Sequence, residues 1–396
     1  MKHEHMISFR LAQVWAILKL AVAFVIALFY KRKSIWIIAE RGEDARDNGY
    51  WFFLYMKEKH PEEEVYYVIS KDSIDRGRLA QYEDSILDYR SMHHYVMLWR
   101  ATYLVSTHMQ GYFPFKGLGV WVKSIFPFYS HKKHINIKHG ISLNYSPILS
   151  YNYAKWDLIL AGAAPEYDFF INKYGYPSDH VALTGFARFD RLNDAVAKRQ
   201  LLLMPTWREW IFKDKGFEET EYAQKYAHLL ESSQLHKILE EEQIDLIFYP
   251  HHEIQRYISF FQKLNVGKHV VIADKAQYDV QQLLKESALL ITDYSSVVFD
   301  FVYMRKPVLY YQFDYQQFLT KHYQKGWYNY RDSFADVYED ENELLIALKQ
   351  YIDNSFSLKN KHLRYIEQLF PYHDSKNCER IYDEIRRLNK EMCNNF

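Results

Sequence analysis

The sequence predicts an α/β protein made of two doubly wound parallel sheets that face a cleft, with a hydrophobic helix ahead of them. Three observations carry this expectation. Short apolar runs alternate with helical patterns along most of the chain, the β-α-β rhythm of parallel sheets. The chain has 396 residues, 48% of them hydrophobic, enough for two separate cores. A polar stretch at 191–200, RLNDAVAKRQ, divides two such series and reads as a linker. The expected organisation is a hydrophobic helix with a basic cluster at 1–33, domains at 34–190 and 200–370, and a C-terminal helix at 371–396.

The first element is residues 11–30, LAQVWAILKLAVAFVIALFY, apolar apart from Gln13 and Lys19 and followed by Lys31-Arg32-Lys33. Twenty such residues just suffice to cross a bilayer, whereas the uninterrupted part from Leu20 to Tyr30 is too short alone. No small-residue cleavage site precedes the basic run, which argues against a removed signal peptide. A membrane-spanning anchor, an interfacial helix and a helix docked on the protein all fit. The adjoining basic cluster favours membrane attachment, with that cluster on the cytoplasmic side.

Ile35–Ala39 reads as the first strand. Asp47 or Asn48 then caps a helix with Phe52, Phe53 and Met56 on one face. Further strands are expected at 64–70, at 101–107 ending at His108 and at 134–140 leading into a His-Gly turn, and 181–192 reads as the last strand and the exit of the first domain. Residues 156–175 read as strand, small-residue turn and helix. The aromatic, glycine- and lysine-bearing segment 109–134 fits a membrane-dipping or acceptor-facing loop and a buried irregular stretch equally well. In the second series, strands are expected at 201–204, 244–252, 270–274, 289–291 and 307–311, with helices at 218–243 and over roughly the last 50 residues. There is no G-x-G-x-x-G, so a nicotinamide cofactor is not indicated.

Composition narrows the function. Lys+Arg and Asp+Glu are 50 each, so nucleic-acid binding, which usually needs a strong basic stripe, is not indicated and any anion site must be local. The 35 Tyr and 26 Phe suit aromatic-lined pockets or a membrane-facing surface, and equally a Tyr-rich core. Cys378 and Cys393 show neither metal spacing nor a disulfide framework, which fits a reducing cytoplasmic compartment.

Chemistry concentrates at 289–300, LLITDYSSVVFD, where a buried strand delivers Thr292-Asp293-Tyr294-Ser295-Ser296 to a turn before a helix. Hydroxyls and backbone N–H groups at such a turn suit a phosphate. An ordinary helix cap has the same pattern. His139 stands at an expected strand end, before Gly140, where a ligand can approach closely. Histidine can take a proton from a hydroxyl nucleophile near neutrality, although one among 18 histidines says little alone. Arg208, in Pro205-Thr206-Trp207-Arg208, offers a planar fork for phosphate oxygens, and Thr206 adds a hydroxyl. Lys306 is a further phosphate candidate. His251, in Pro250-His251-His252, suits charge stabilisation. Asp293 and Asp300 need a counter-charge to stand near phosphate, so each is expected to hold the turn, orient Arg208 or meet a ribose. Asp279 is expected to cap a helix.

The 289–300 string, with YDVQQLLKESALL at 278–290 and KPVLYYQFDY at 306–315, resembles the signature of the CDP-glycerol glycerophosphotransferase family, which makes teichoic acids and related capsule polymers. The similarity is scattered but collinear from about residue 35 to 385. The family carries W-H-G-T-P-L-K where this chain has Ile137-Lys138-His139-Gly140-Ile141-Ser142-Leu143-Asn144. His139, Gly140 and Leu143 match, while Lys138, Ile141, Ser142 and Asn144 replace Trp, Thr, Pro and Lys. The resemblance implies that His139 is the catalytic base and that acceptor contacts around Gly140 differ from the family's. It makes His251 the counterpart of the second family histidine, with His252 in place of a proline, and it matches Arg208 to a P-T-W-R motif. Gly185–Asp190 resembles G-x-P-R-x-D with Ala187 for proline, and Glu379-Arg380-Ile381 a C-terminal motif of helix packing.

The resemblance also implies a GT-B-like fold of two Rossmann-like domains, acceptor-side first and donor-nucleotide second. The implied activity is transfer of a polyol phosphate, glycerol phosphate foremost, from a CDP-linked donor to a hydroxyl of a lipid-linked glycan or growing polymer, at the cytoplasmic face of the membrane. Thr206, Arg208, Asp293, Ser295, Ser296, Asp300 and Lys306 would serve the donor. A CDP-ribitol-specific enzyme, a nucleotide-sugar glycosyltransferase and a non-catalytic assembly subunit are the alternatives. No D-x-D-type cluster is visible, so a divalent cation is possible but no ligand set for it stands out.

Overall fold

A computed structural model describes residues 2–30, 33–109, 111–115, 132–194, 196–213, 216–321 and 326–393. Two parallel sheets organise it. The first has seven strands in the order β3-β2-β1-β4-β5-β6-β7, and the second has six in the order β10-β9-β8-β11-β12-β13. In the first sheet these are β1 (Ile35–Ala39), β2 (Glu64–Ile69), β3 (Ile86–Asp88), β4 (Tyr103–Ser106), β5 (Lys133–Asn136), β6 (Leu158–Ala161) and β7 (Val181–Leu183). The second comprises β8 (Gln200–Leu203), β9 (Asp245–Phe248), β10 (Val270–Ile272), β11 (Leu289–Thr292), β12 (Val308–Tyr311) and β13 (Asp336–Tyr338).

The central strands are short apolar runs because both of their faces are covered. Along β1, Trp36 and Ile38 enter one core, and Ile35, Ile37 and Ala39 enter the core on the opposite face, as the period of two requires. The second sheet divides in the same way: Leu202, Leu290 and Tyr310 on one face, Leu203, Ile291 and Tyr311 on the other. The first of these faces also gathers Ile141, Leu143, Phe186, Phe189 and Leu192 from the first half, so one core crosses the junction. The carboxyl-terminal helix Asn377–Cys393 returns to the first half, where Cys378, Ile381, Ile385 and Leu388 pack with Trp36 and Phe52. The two halves also touch through backbone: a Cβ on Gly326 would lie 1.8 Å from the Leu143 carbonyl oxygen, and Trp327 Nε1 donates to the Ser142 carbonyl at 2.8 Å.

Helix Asn48–Lys59 is capped by Asp47, with Phe52, Phe53 and Met56 buried. The amino-terminal helix runs from Lys2 to Ala27. It docks on helix Met92–Arg100, with Trp99 Nε1 donating to the Leu20 carbonyl at 2.9 Å and Phe24 edge-on to Trp99 at 5.1 Å. Ala16, Leu20 and Ala23 are buried there, while Val14, Trp15, Leu18, Val22 and Val25 are exposed. Among the described residues no helix is long and apolar enough to cross a membrane. Lys31 and Arg32, and most of the 109–134 segment, lie outside the described residues.

Candidate active site

In open parallel sheets, ligands bind beyond the carboxyl ends of the strands where strand order reverses. The first sheet reverses between β1 and β4, and the second between β8 and β11. The ends of these strands meet across a cleft of ≈ 410 Å³, lined from the first half by Thr107, His108 and the loop 138–146, and from the second by Thr206, Trp207, His251, Ser295 and Ser296.

His139 follows β5 on a loop that is braced from beneath. Lys138 takes a left-handed conformation, φ 54°, and Asn48 Nδ2 donates to its carbonyl at 2.8 Å. The Lys138 side chain turns inward, donating to Ser142 Oγ at 2.5 Å and standing 4.0 Å from Glu166. Glu166 accepts from the backbone N–H groups of Ser142 at 2.6 Å and Gly162 at 2.8 Å. Burial pushes the Lys138 ammonium down and the Glu166 carboxyl up, and each charge partly offsets the shift of the other. His139 is left with its side chain 63% exposed. Its ring stacks on His108 at 4.9 Å. Burial, reinforced by the neighbouring His139, pushes His108 down to about 3, so His108 stays neutral near pH 7.

His139 Nδ1 lies 3.3 Å from Asp47 Oδ2. The other Asp47 oxygen accepts from Arg188 Nη1 at 2.8 Å, and the same nitrogen donates to the His139 carbonyl at 2.8 Å. Arg188 then forks onto Asp300 of the second half, Nε to Oδ1 at 2.6 Å and Nη2 to Oδ2 at 2.9 Å. Burial alone would push Asp47 up; the Arg188 charge and the bond from His139 outweigh it and hold the carboxyl below its usual range. Behind Asp47, Glu40 at the end of β1 accepts the N–H groups of Arg46, Asp47 and Tyr50, while burial and the Asp47 charge push its carboxyl up to about 8.

In the second half, Ser295 and Ser296 are half-buried on the turn after β11. Gly140 opposes them: a Cβ there would stand 3.5 Å from Ser296 Oγ. The His251 ring lies over Trp207 with centroids 6.2 Å apart, and its Nδ1 accepts from the Glu253 N–H at 3.3 Å. The Thr206 hydroxyl is buried without a hydrogen-bond partner among the described residues, beside the cleft.

Four expected donor-binding side chains are committed elsewhere. Arg208 is wholly buried, with Nε and Nη2 on Asp314 at 2.6 and 3.1 Å, Nη2 on Asp293 at 2.9 Å and Nη1 on the Thr206 carbonyl at 2.7 Å. Its fork is turned onto these partners inside the protein rather than toward the cleft. Asp293 orients it and accepts the Thr206 N–H at 2.8 Å, which makes Asp293 a turn-builder. Lys306 Nζ caps helix Val280–Glu286, donating to the carbonyls of Leu284, Lys285 and Ser287 at 3.1, 2.6 and 2.9 Å. Asp300 gives both oxygens to Arg188. Asp279 caps helix Val280–Glu286 and also pairs with Arg78 of the first half at 2.8 Å.

The cleft thus brings together His139, Gly140, Thr206, His251, Ser295 and Ser296. A smaller cavity of ≈ 190 Å³ adjoins His139 and contains Tyr249, Tyr278 and Gln281. Asp47 reads from the sequence only as a cap, and Arg188 only as part of a match to G-x-P-R-x-D. The sole signal for Arg188 was its place in the GFARFD string. Among the described residues no group of three or more His, Cys, Asp or Glu side chains is placed to hold a metal ion.

A family model described as CDP-glycerol:poly(glycerophosphate) glycerophosphotransferase matches residues 20–387. Relatives include the minor teichoic acid biosynthesis protein GgaB of Bacillus subtilis, 31% identical over 376 residues, which cover 91% of this chain and 40% of that protein. The teichoic acid poly(glycerol phosphate) polymerase of the same organism is 24% identical over 370 residues, 83% of this chain and 45% of that protein. The teichoic acid glycerol-phosphate transferase of Staphylococcus aureus is 22% identical over 307 residues, 72% of this chain and 71% of that one. The chain therefore spans less than half the length of the first two. Among solved structures, the wall teichoic acid polymerase TagF superposes with a TM-score of 0.67 at 17% identity over 98% of both chains, and a UDP-N-acetylglucosamine 2-epimerase with 0.53 at 15% identity over 90% of this chain and 96% of that one. At those identities the likeness concerns the fold, two facing Rossmann-like sheets. The extent of the family match is decisive: this chain belongs to the CDP-glycerol:poly(glycerophosphate) glycerophosphotransferase family.

Proposed function

Proceeding from that membership, we propose that this chain transfers a polyol phosphate, glycerol phosphate foremost, from a CDP-linked donor to a hydroxyl of a lipid-linked glycan or growing teichoic-acid-type polymer. The carrying observation is that His139 of the first half faces the Ser295–Ser296 turn of the second across one cleft. The first half serves the acceptor and the second the donor. His139 Nε2 takes the acceptor proton as the acceptor oxygen bonds to the β-phosphorus. The bond from that phosphorus to the bridging oxygen breaks, and CMP leaves with the bridging oxygen. Ser295, Ser296, Thr206 and His251 steady the diphosphate with hydroxyl, backbone N–H and imidazole donors, so catalysis is positioning plus electrostatics. Arg208 serves indirectly by holding the turn through Asp293.

We further propose in-plane attachment to the cytoplasmic membrane surface. The amino-terminal helix leaves Trp15, Leu18, Val22 and Val25 exposed, Leu28, Phe29 and Tyr30 are exposed as well, and Lys31-Arg32-Lys33 come next in the sequence. An apolar face beside a basic cluster suits the boundary between anionic headgroups and acyl chains. Trp15→Glu with Val22→Glu should lose co-sedimentation with anionic vesicles. Binding equal to wild type would remove this part of the reading.

The reaction is tested by CMP release from CDP-glycerol with a lipid-linked acceptor. Acceptor-dependent CMP supports it. Turnover with CDP-ribitol alone changes the polyol. Release of a nucleoside diphosphate from a nucleotide sugar, with no CMP from any CDP-polyol, overturns it.

A further inference from the structure

We infer that Asp300 and Arg188 are positioning residues for His139: the segment that carries the two serines reaches across the cleft and sets the base in the opposite half. The inference rests on reading His139 as the base, and its test is built to stand apart from that reading.

The geometry is a chain of four side chains. Asp300 lies on helix Val298–Tyr303, directly beyond Ser295 and Ser296. It accepts two parallel bonds from the Arg188 fork, at 2.6 and 2.9 Å. A doubly bonded fork fixes the plane of a guanidinium, and Lys could not do the same. So oriented, Arg188 Nη1 meets both Asp47 Oδ1 and the His139 carbonyl at 2.8 Å. The second Asp47 oxygen then lies 3.3 Å from His139 Nδ1. A carboxylate at Nδ1 keeps a proton on that nitrogen and leaves Nε2 as the acceptor, the tautomer a general base needs. Asn48 locks the register, donating to the Lys138 carbonyl at 2.8 Å and accepting the Arg188 N–H at 3.1 Å.

Charge points the same way. Two carboxylates and one guanidinium leave the cluster at one net negative charge. A proton arriving on His139 brings the cluster to neutrality. The other groups facing His139 do not supply this. His108 is held neutral by burial, and Lys138, next in the chain, turns away toward Glu166. Arg46 of the neighbouring cavity is bound to Asp75.

A merely structural tie between the halves is the competing account. The halves are already joined without contact to the base, by Arg78 with Asp279 at 2.8 Å and by Trp327 with the Ser142 carbonyl at 2.8 Å. Arg188 differs in ending on the base. The coupling also gives the signature a reason for its length: a turn that holds the donor and an acid that prepares the base in the other half travel as one rigid piece.

The test uses the full chain with 15N-labelled histidine and no substrate, and reads the His139 tautomer by NMR, the signal being assigned through its loss in His139→Ala. Wild type should show the Nδ1–H form. Asp300→Asn should shift population toward Nε2–H, Asp47→Asn should shift it further, and Arg78→Ala should leave it unchanged. Kinetics on Asp300→Asn should show kcat lowered on the order of 10–100-fold, as for partners that orient a metal-bound histidine, with donor Kd unchanged. An unchanged tautomer in folded Asp300→Asn overturns the inference, even where His139→Ala abolishes CMP release and the base assignment survives. Conversely, a shifted tautomer beside an active His139→Ala keeps the relay and removes the base assignment.

Discussion

Two arginines, Arg208 wholly buried and Arg188 largely covered, each stand between two aspartates, and they do different work. Arg208 joins Asp293 and Asp314, both from the second half, and closes on the Thr206 carbonyl. Arg188 joins Asp47 of the first half to Asp300 of the second and ends on the residue proposed as the base. Residue type and charge are the same. What separates them is the origin of the carboxylates. One arginine builds a wall of the donor turn; the other couples the two walls.

The comparison is broken most severely at Arg208. Arg208→Met would leave Asp293 and Asp314 buried without a counter-charge, and unfolding should show a loss of about 3–5 kcal/mol. A variant of near wild-type stability would mean that the guanidinium is free for a ligand after all. Arg188→Lys should act in the opposite sense. It keeps the charge and loses the fork, so stability should change by about 1 kcal/mol while kcat falls on the order of 10–100-fold. Equal losses of stability and rate at both arginines would erase the distinction drawn here.

Lys306 sharpens the contrast between building and binding. Its ammonium caps the helix that precedes β11, so Lys306→Met should cost about 1–3 kcal/mol in chemical unfolding and leave donor affinity intact. A selective loss of CDP-glycerol binding at full stability would return it to the donor site. The smallest effect is expected in acid. Burial opposes the Asp47 charge, but Arg188 and His139 hold its pKa below the ordinary value of 3.8. Its contribution to stability is therefore complete above that value and is lost as pH falls through the lower, folded one. Asp47→Asn should flatten the acid limb of the stability curve below about pH 4; an unaltered limb would show that Asp47 is not held ionised.

Most of the frame was legible because the central strands are apolar runs bounded by turn residues. Of the four three-residue edge strands, Val181–Leu183 and Val270–Ile272 were legible as apolar runs, whereas Ile86–Asp88 and Asp336–Tyr338, each with an aspartate among its three residues, were missed. His139 and the serine turn stood at strand ends, where the sheet architecture puts ligands. The partners did not show. Asp47 is 92 residues from His139, and Asp314 is 106 from Arg208. A local string can nominate an arginine for phosphate, but it cannot reveal an acid that folding brings up from far along the chain. The partners that occupy Arg208 and Lys306 were hidden for that reason.

In the proposed reaction His139 deprotonates an acceptor held against a donor on the Ser295–Ser296 turn. The direct measurement is CMP release from CDP-glycerol by wild type and His139→Ala, with a lipid-linked acceptor present and donor binding measured in parallel. The account predicts a loss on the order of 10²–10⁴-fold in His139→Ala with donor binding retained. Near wild-type CMP release by that variant would contradict it.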